Sequence, residues 1–248
     1  MTAPVGSTSS SKIKITEAVI LMAGSGSRLN GPSGRPLKPL IPISGRPLIS
    51  YALESLAAAG IRTVHAVVGF EAERLKSAMQ PLAPDGMQLR FIENPQWQKQ
   101  NGISLLAASS QVHAPFVLTM GDHIFESRMI ELLISQAEPD CLNLAVDLKL
   151  KAIFDLQDAM KVIVRADRVV EIGKDIEHYN AIDTGLFVCP AEIFSYLEQA
   201  QRNGDVSLAD GVRAMAKEGK VRAIDIGAAW WQDIDTPEML HHAQEKLA

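Results

Sequence analysis

The sequence predicts an α/β protein, a Rossmann-like three-layer α/β/α sandwich around a mainly parallel mixed sheet. Three observations carry that expectation. From Ala18 to Gln136, short apolar or β-branched runs alternate with segments of helical periodicity, the pattern of strands joined by crossover helices. The first run, Ala18 to Ala23, is apolar throughout, as a strand covered on both faces must be. It breaks into Gly24-Ser25-Gly26-Ser27-Arg28, and loops at the carboxyl ends of strands are where such sheets bind ligands.

The remaining elements follow in order. Leu48 to Ile61 has apolar residues at helical spacing and closes on Gly60. Thr63 to Val68 reads as a strand, Glu71 to Met79 as a helix and Met87 to Ile92 as a strand. A helix over Gly102 to Val112, a strand over Ala114 to Met120 and a helix over Met129 to Gln136 continue the series. From Cys141 the rhythm changes. Leu142 to Leu148 is followed by two β-like runs flanking Ala166-Asp167 in a hairpin pattern, so about 141–180 is expected to be an insertion within a single domain over 14–248. A strand over Ala181 to Val188, a helix opening near Pro190, a helix over Val206 to Glu218, a β-like Val221 to Ile226 and a helix from Pro237 complete the chain. Residues 1–13, small and polar, read as a disordered tail.

With 248 residues, 47% of them hydrophobic, the chain can fill one substantial core. Its formal net charge of −5 argues against a general binder of nucleic acid or of anionic membranes, so phosphate recognition has to come from a few placed cations. No apolar run approaches the roughly 18 residues of a membrane span. Cys141 and Cys189 form no C-x-x-C pair, which points to reduced thiols at core positions of a cytoplasmic protein.

Five stretches could carry chemistry. Gly24 and Gly26 let backbone N–H groups approach an anion, and Arg28 and Lys38 add positive charge in a segment stiffened by Pro36, Pro39 and Pro42. The loop lacks the Gly-Lys-Ser/Thr ending of a P-loop, and Leu29 stands where a dinucleotide fingerprint needs its third glycine. It reads as a triphosphate cradle or as an ordinary turn with a solvated basic face. Phe116 to Met120 delivers Gly121-Asp122-His123 to a strand end, where Asp122 is either a Mg²⁺ ligand or a turn residue. His123 suits a hydrogen-bonded role behind that ligand better than a place on the ion, because Mg²⁺ prefers oxygen. Asp233 and Asp235 precede Thr236-Pro237, a helix start, so Thr236 or Asp235 caps the helix or one of the aspartates joins Asp122 on metal, two compatible roles.

Asn94, Asn101 and Ser104, near Gly102, offer amide and hydroxyl groups to the edge of a base, and Asn101 and Ser104 equally suit a helix start. Lys174, upstream of Asp183, Thr184 and Gly185, is a phosphate clamp or a solvated lysine. Trp230 and Trp231 read as core packing, and His241 and His242 as surface residues of the last helix.

The combination resembles the sugar-phosphate nucleotidyltransferase superfamily from about Thr16 to the C-terminus, and within it the CTP:inositol-1-phosphate cytidylyltransferases. The likeness rests on NGISLLA at Asn101 to Ala107, LTMGDHIFE at Leu118 to Glu126, IGKD at Ile172 to Asp175, AIDTGLFV at Ala181 to Val188 and WWQDIDTPE at Trp230 to Glu238. One departure is that the family's Pro-Lys pair reads Leu37-Lys38 here. The resemblance implies a GT-A-like fold, with Ala23, Gly24, Gly26 and Arg28 at the triphosphate and Lys38 at the reacting phosphate. It implies Asn94, Asn101, Gly102 and Ser104 at the base, Asp122 and Asp235 on Mg²⁺ with Asp233 as the alternative, and Lys174, Asp183 and Thr184 at the acceptor.

The implied reaction is transfer of CMP from CTP to a phosphorylated polyol such as inositol-1-phosphate, by a protein free to form a homodimer. The same chemistry on phosphocholine, a phosphonate or a sugar-1-phosphate is the nearest alternative. A nucleotide-binding regulator without turnover is the alternative from another class.

Overall fold

The computed structural model describes residues 14–26, 29, 37–113 and 115–247. The chain opens with β1 (Glu17–Leu21), then a short hairpin of β2 (Pro42–Ile43) and β3 (Arg46–Pro47) turned by Ser44 and Gly45, both at positive φ. Leu48, Ile49, Ala52, Leu53 and Leu56 put one apolar stripe on α1 (Leu48–Ala58). Next come β4 (Thr63–Val68), α2 (Ala72–Met79), β5 (Gln88–Glu93), α3 (Asn101–Leu106), β6 (Phe116–Met120), β7 (His123–Phe125) and α4 (Ser127–Gln136). The second half holds β8 (Leu142–Asp147), β9 (Lys161–Arg165), β10 (Arg168–Gly173), β11 (Ala181–Cys189), α5 (Ile193–Ala200), α6 (Leu208–Lys217), β12 (Val221–Asp225), β13 (Trp231–Asp233) and α7 (Pro237–Lys246).

Among the described residues, nine strands form one sheet in the order β5-β4-β1-β6-β11-β8-β12-β10-β9. The β5-β4-β1-β6 half is parallel throughout. In the other half β11 runs antiparallel to both β6 and β8, and β12 is parallel to β8. Alternate residues of each strand feed two cores. Val19, Leu21, Phe116, Leu118, Leu142 and Leu144 pack with α3, α5 and α6, while Ala18, Ile20, Val117 and Ala145 pack with α1, α2 and α4. Those two cores make the expected three layers.

Three expectations change. The stretch from Cys141 is not set apart as an insertion: β8 is an interior strand between β11 and β12, buried at every position including Asn143 and Asp147, and only the β9–β10 hairpin lies at the edge. The helix expected over Gly102 to Val112 is the shorter α3, followed by turns. Cys189 is buried, but Cys141 is partly exposed beside Glu138 and Arg168. The expected 1–13 tail lies outside the described residues. Among the described residues, no helix is long and apolar enough to cross a membrane.

Candidate active site

In the parallel half, β4 and β5 lie to one side of β1 and β6 to the other, so the strand order reverses between β1 and β6. A crevice at such a reversal, at the carboxyl ends of the strands, is the standing ligand site of this architecture. The segments leaving the two strands are Met22 to Gly26 and Gly121-Asp122, and the Gly121 N–H donates to the Leu21 carbonyl at 2.9 Å, which holds them side by side.

The two loop glycines differ in what they make room for. A Cβ on Gly24 would meet nothing within 4 Å, so its backbone faces open space. Gly26 has φ +63°, and a Cβ there would lie 2.7 Å from Lys38 Cβ. This position needs glycine both for its left-handed backbone and because the Lys38 stem packs across it. Arg28, the other cation expected here, lies outside the described residues.

Lys38 opens a 3-10 turn, Lys38–Leu40, and is 9% exposed. Its Nζ is 2.5 Å from Asp122 Oδ2 and 2.5 Å from Asp235 Oδ1. Burial works against the Lys38 charge, and the two carboxylates outweigh it, so the ammonium is held above its usual range. Burial likewise opposes ionisation of Asp122, but the Lys38 charge and the His123 ring override it and keep this carboxyl well below the usual carboxylate range.

A second, two-stranded ribbon brings the aspartates together. β13 pairs antiparallel with β7 in the register Trp231↔Phe125, Gln232↔Ile124 and Asp233↔His123. Asp122 immediately precedes β7 and Asp235 follows β13, and the Ile234 N–H donates to the Asp122 carbonyl at 2.9 Å. The helix cap expected at this point is Thr236, whose hydroxyl accepts from the Met239 N–H at 3.3 Å ahead of Pro237. Asp235 is thereby available to Lys38. Asp233 faces His123 instead, and burial together with the charges of Asp235 and Asp122 raises its pKa.

His123 Nδ1 lies 2.7 Å from Asp122 Oδ1. Its ring is stacked on Trp231 with centroids 6.0 Å apart, and a Cβ on Gly185 (φ +70°) would sit 2.5 Å from its Nε2. Gly185 falls in a register shift of β11 between Asp183 and Phe187, a bulge that re-aims Asp183 into the crevice. Burial pushes Asp183 up to about 6, against the Gly185 N–H that donates to it at 2.7 Å.

The crevice has two lobes that share Asn101, Met120, His123 and Asp235. The smaller, about 370 Å³, is lined by Ala23, Gly24, Gly26, Lys38, Trp97, Lys99, Ser104 and Asp122. The larger, about 610 Å³, is lined among others by Asp183, Lys174, Arg213, Trp230 and Trp231. Lys174 is about half exposed and pairs with Asp158 Oδ1 at 2.5 Å. Thr184, expected beside Asp183, is in neither lobe: it is fully buried, and its hydroxyl donates to the Ala145 carbonyl at 2.9 Å. Successive side chains of a strand alternate sides, so Asp183 and Thr184 cannot both face the crevice.

Ser104 lines the smaller lobe, but Asn94, expected beside it at the base, lines neither lobe: it is buried behind Ser104, bonds that hydroxyl at 3.0 Å, and its Oδ1 accepts the Gln96 N–H at 2.9 Å. The Asn101 side chain accepts the Leu208 N–H at 2.8 Å. Gly102 lets α3 close on the loop before α6, since a Cβ there would lie 2.5 Å from the Val206 carbonyl oxygen. Several lining residues were missed in the sequence, among them Trp97, Lys99, Arg213, Trp230 and Trp231. Trp97 packs its Cβ where Gly69 leaves no Cβ of its own, and Trp231 lines the larger lobe as well as packing on the core. A tryptophan beside a glycine-permitted gap has no local signal, because the gap is made by a residue far off in sequence.

Among the described residues, no three His, Cys, Asp or Glu side chains are grouped to hold a metal ion by themselves. Mg²⁺ does not require such a cage, being held by one or two carboxylates with phosphate oxygens and water. Asp122 and Asp235, converging on one point beside the open backbone of Gly24, are donors of that kind.

The model of the MobA-like NTP transferase domain matches residues 18–153. The bifunctional IPC transferase and DIPP synthase of Rubrobacter xylanophilus is 34% identical over 232 residues, covering 93% of this chain and 51% of that protein. The protein of the same description from Thermococcus kodakarensis is 33% identical over 239 residues, covering 93% of this chain and 50% of that protein. The chain thus spans about half the length of these relatives. The solved structure of the inositol-1-phosphate CTP transferase from T. maritima superposes with a TM-score of 0.83 at 28% identity, over 94% of this chain and 96% of that one. That superposition agrees with the expected GT-A-like architecture, and with residues 18–153 matched the chain belongs to the MobA-like NTP transferase family.

Proposed function

We propose that this domain transfers CMP from CTP to a phosphorylated polyol, inositol-1-phosphate in the first instance, and releases pyrophosphate. The observation that carries the reading is the convergence of Lys38, Asp122 and Asp235 where the two lobes meet, with the glycine loop on one side and an acceptor-sized cavity on the other. The likeness to an inositol-1-phosphate CTP transferase favours this base and acceptor over others.

In the proposed reaction an acceptor phosphate oxygen forms a bond to the α-phosphorus. The bond from that phosphorus to the bridging oxygen breaks, and pyrophosphate leaves with the electron pair. A phosphate monoester has its second pKa near 6, so the nucleophile is already largely ionised at neutral pH and no general base is required. The chain's task is to bring two anions together and neutralise the charge. Backbone amides around Gly24 and Gly26 suit the triphosphate, with Arg28 contributing from the same loop by its place in the sequence. Lys38, its stem seated on Gly26, supplies a fixed positive charge at the junction. Asp122 and Asp235 are the residues that would hold Mg²⁺, which when bound neutralises phosphate oxygens and helps the leaving group depart. Lys174 and Asp183 line the lobe assigned to the acceptor, as a cation for its phosphate and an acceptor for its hydroxyls.

The test is a grid of pyrophosphate-release assays with Mg²⁺, pairing CTP, UTP, GTP and ATP with inositol-1-phosphate, phosphocholine and glucose-1-phosphate. Turnover confined to CTP with inositol-1-phosphate is expected. Turnover in another cell replaces the substrate and keeps the chemistry, and CTP binding without turnover anywhere in the grid favours a regulator.

A further inference from the structure

The outer wall of the larger lobe is residues 148–160, between β8 and β9, whose regular structure is a single 3-10 turn at Leu150–Ala152. Ala152, Phe154, Asp158 and Met160 line the lobe, and Leu148 and Phe154 are 46% and 48% exposed. Its internal hydrogen bonds are local turn contacts, such as the Ala152 N–H to the Lys149 carbonyl at 2.8 Å and the Ala159 N–H to the Asp155 carbonyl at 3.2 Å, so the wall as a whole keeps its position through anchors at its ends and flank. On the flank, Phe154 stacks on His242 of α7 with centroids 5.0 Å apart. At the far end the Lys161 ammonium donates to the Gln157 carbonyl at 3.0 Å.

The near end is anchored on Asp147, which is 3% exposed. Its Oδ1 accepts the Lys149 N–H at 2.7 Å and faces the Lys149 ammonium at 2.9 Å. Its Oδ2 accepts the Trp231 indole N–H at 3.0 Å. Trp231 looks both ways, because its ring also stacks on His123, whose Nδ1 reaches Asp122 at 2.7 Å and whose far edge is closed by Gly185. Contacts therefore run without a break from Asp122 through His123, Trp231 and Asp147 to Lys149, out of the reacting centre and into the wall of the larger lobe.

We infer that Trp231 is a positioning residue for the acceptor: its indole N–H holds the wall at residues 148–160, while its ring holds His123 behind Asp122. The distance between wall and reacting centre is then set by one rigid side chain with two attachments, and a phosphorylated polyol is accepted when it fits that depth. The inference rests on the proposed function for the identity of the acceptor, but the anchoring of the wall does not depend on it. An indole donor to a buried carboxylate is a charge-assisted hydrogen bond, and losing it leaves Oδ2 of Asp147 buried without that donor.

Trp231→Phe tests this, since it keeps an aromatic ring for His123 while removing the indole donor together with the smaller part of the ring system. In the full chain without substrates, trypsin is expected to cut after Lys151, an exposed lysine in the wall, about ten-fold faster than in the wild type. With CTP and inositol-1-phosphate, KM for the acceptor is expected to rise about ten-fold while KM for CTP stays unchanged. Asp147→Ala removes the acceptor together with its bonds to Lys149, and the double variant is expected to fall short of the sum of the two single ones, because the bond they share is lost only once. An unchanged cutting rate in Trp231→Phe, equal rises in both KM values, or additive effects in the double variant would overturn the inference. If the wild type fails to turn over this substrate pair, the proposed acceptor falls, and the cutting rates still decide whether Trp231 anchors the wall.

Discussion

Lys38 and Asp235 stand 197 positions apart in the chain, and the ammonium of one lies 2.5 Å from the carboxylate of the other. With Asp122 at the same distance on its other side, Lys38 gathers the first glycine loop, the end of β6 and the approach to α7 at one point. The two carboxylates are brought within reach of one nitrogen by the β7–β13 ribbon, so the centre depends on a pairing outside the main sheet.

Lys38→Ala is expected to lower turnover by about 10²-fold or more, the usual cost of losing a charge contact to a transition state. The same change leaves two carboxylates facing one another, with side-chain exposures of only 27% and 14%. Without divalent cation it should therefore destabilise the fold by about 3 kcal/mol. Pyrophosphate release and urea denaturation measure the two effects. Wild-type turnover in the variant removes Lys38 from the chemistry.

Chelation is expected to abolish turnover and added Mg²⁺ to restore it, because two carboxylates at a triphosphate site otherwise add to the repulsion. Asp122→Ala and Asp235→Ala should each cost about 10²-fold at saturating Mg²⁺. Asp233→Ala should cost about ten-fold or less, since its side chain lies toward His123 rather than Lys38. A reversed order between Asp233 and Asp235 assigns the metal to Asp233.

Asp183 provides a pH test. Burial raises it to about 6 in the folded chain, whereas an unfolded carboxyl titrates near 3.9. Between those values the native state binds more protons than the unfolded state, so stability falls as pH rises through this window and the whole penalty is present above it. Asp183→Asn is expected to stabilise the protein by roughly 2 kcal/mol at pH 8 and to leave it unchanged at pH 4, where the carboxyl is already protonated. Thermal unfolding at the two pH values reads this out, and equal gains at both would show that charge is not the cause.

Gly102→Ala should destabilise the protein by about 1–3 kcal/mol even though alanine is the better helix former, since a Cβ 2.5 Å from the Val206 carbonyl oxygen must push α3 off the loop before α6. KM for CTP should rise with it, because Asn101 and Ser104 ride on the same helix. A stabilised variant, measured by denaturation, would mean that the close approach is absent in solution.

Much of the fold was legible because its signals are local. The strand at Thr63 to Val68, the hairpin around Ala166-Asp167 and the helix from Pro237 each declare themselves within a few residues, through β-branching, a turn or a cap. β7 and β13 did not, since three-residue strands carry too little periodicity to read and exist only because they pair with one another. Leu142 to Asp147 showed only as a change of rhythm, and its place inside the sheet was not visible, because strand order is set by non-local pairing.

The candidate site divides in the same way. Gly24, Gly26, Lys38, Asp122 and Asp235 were legible as the residue types that phosphate and Mg²⁺ chemistry needs, and the structure sets them around the smaller lobe. Thr184 was misplaced by one strand position, and Trp97 and Trp231 were missed as lining residues. Sequence by itself determined the element types, the glycine loop and the stock of charged groups, because backbone preference and side-chain chemistry act over a few neighbouring residues. Only the tertiary structure decided that Asp235 rather than Asp233 meets Lys38, that Gly26 serves the Lys38 stem, and that Trp231 touches both His123 and Asp147. Those relationships are set by contacts between segments far apart in the chain, which packing and ribbon register create and which no local pattern records.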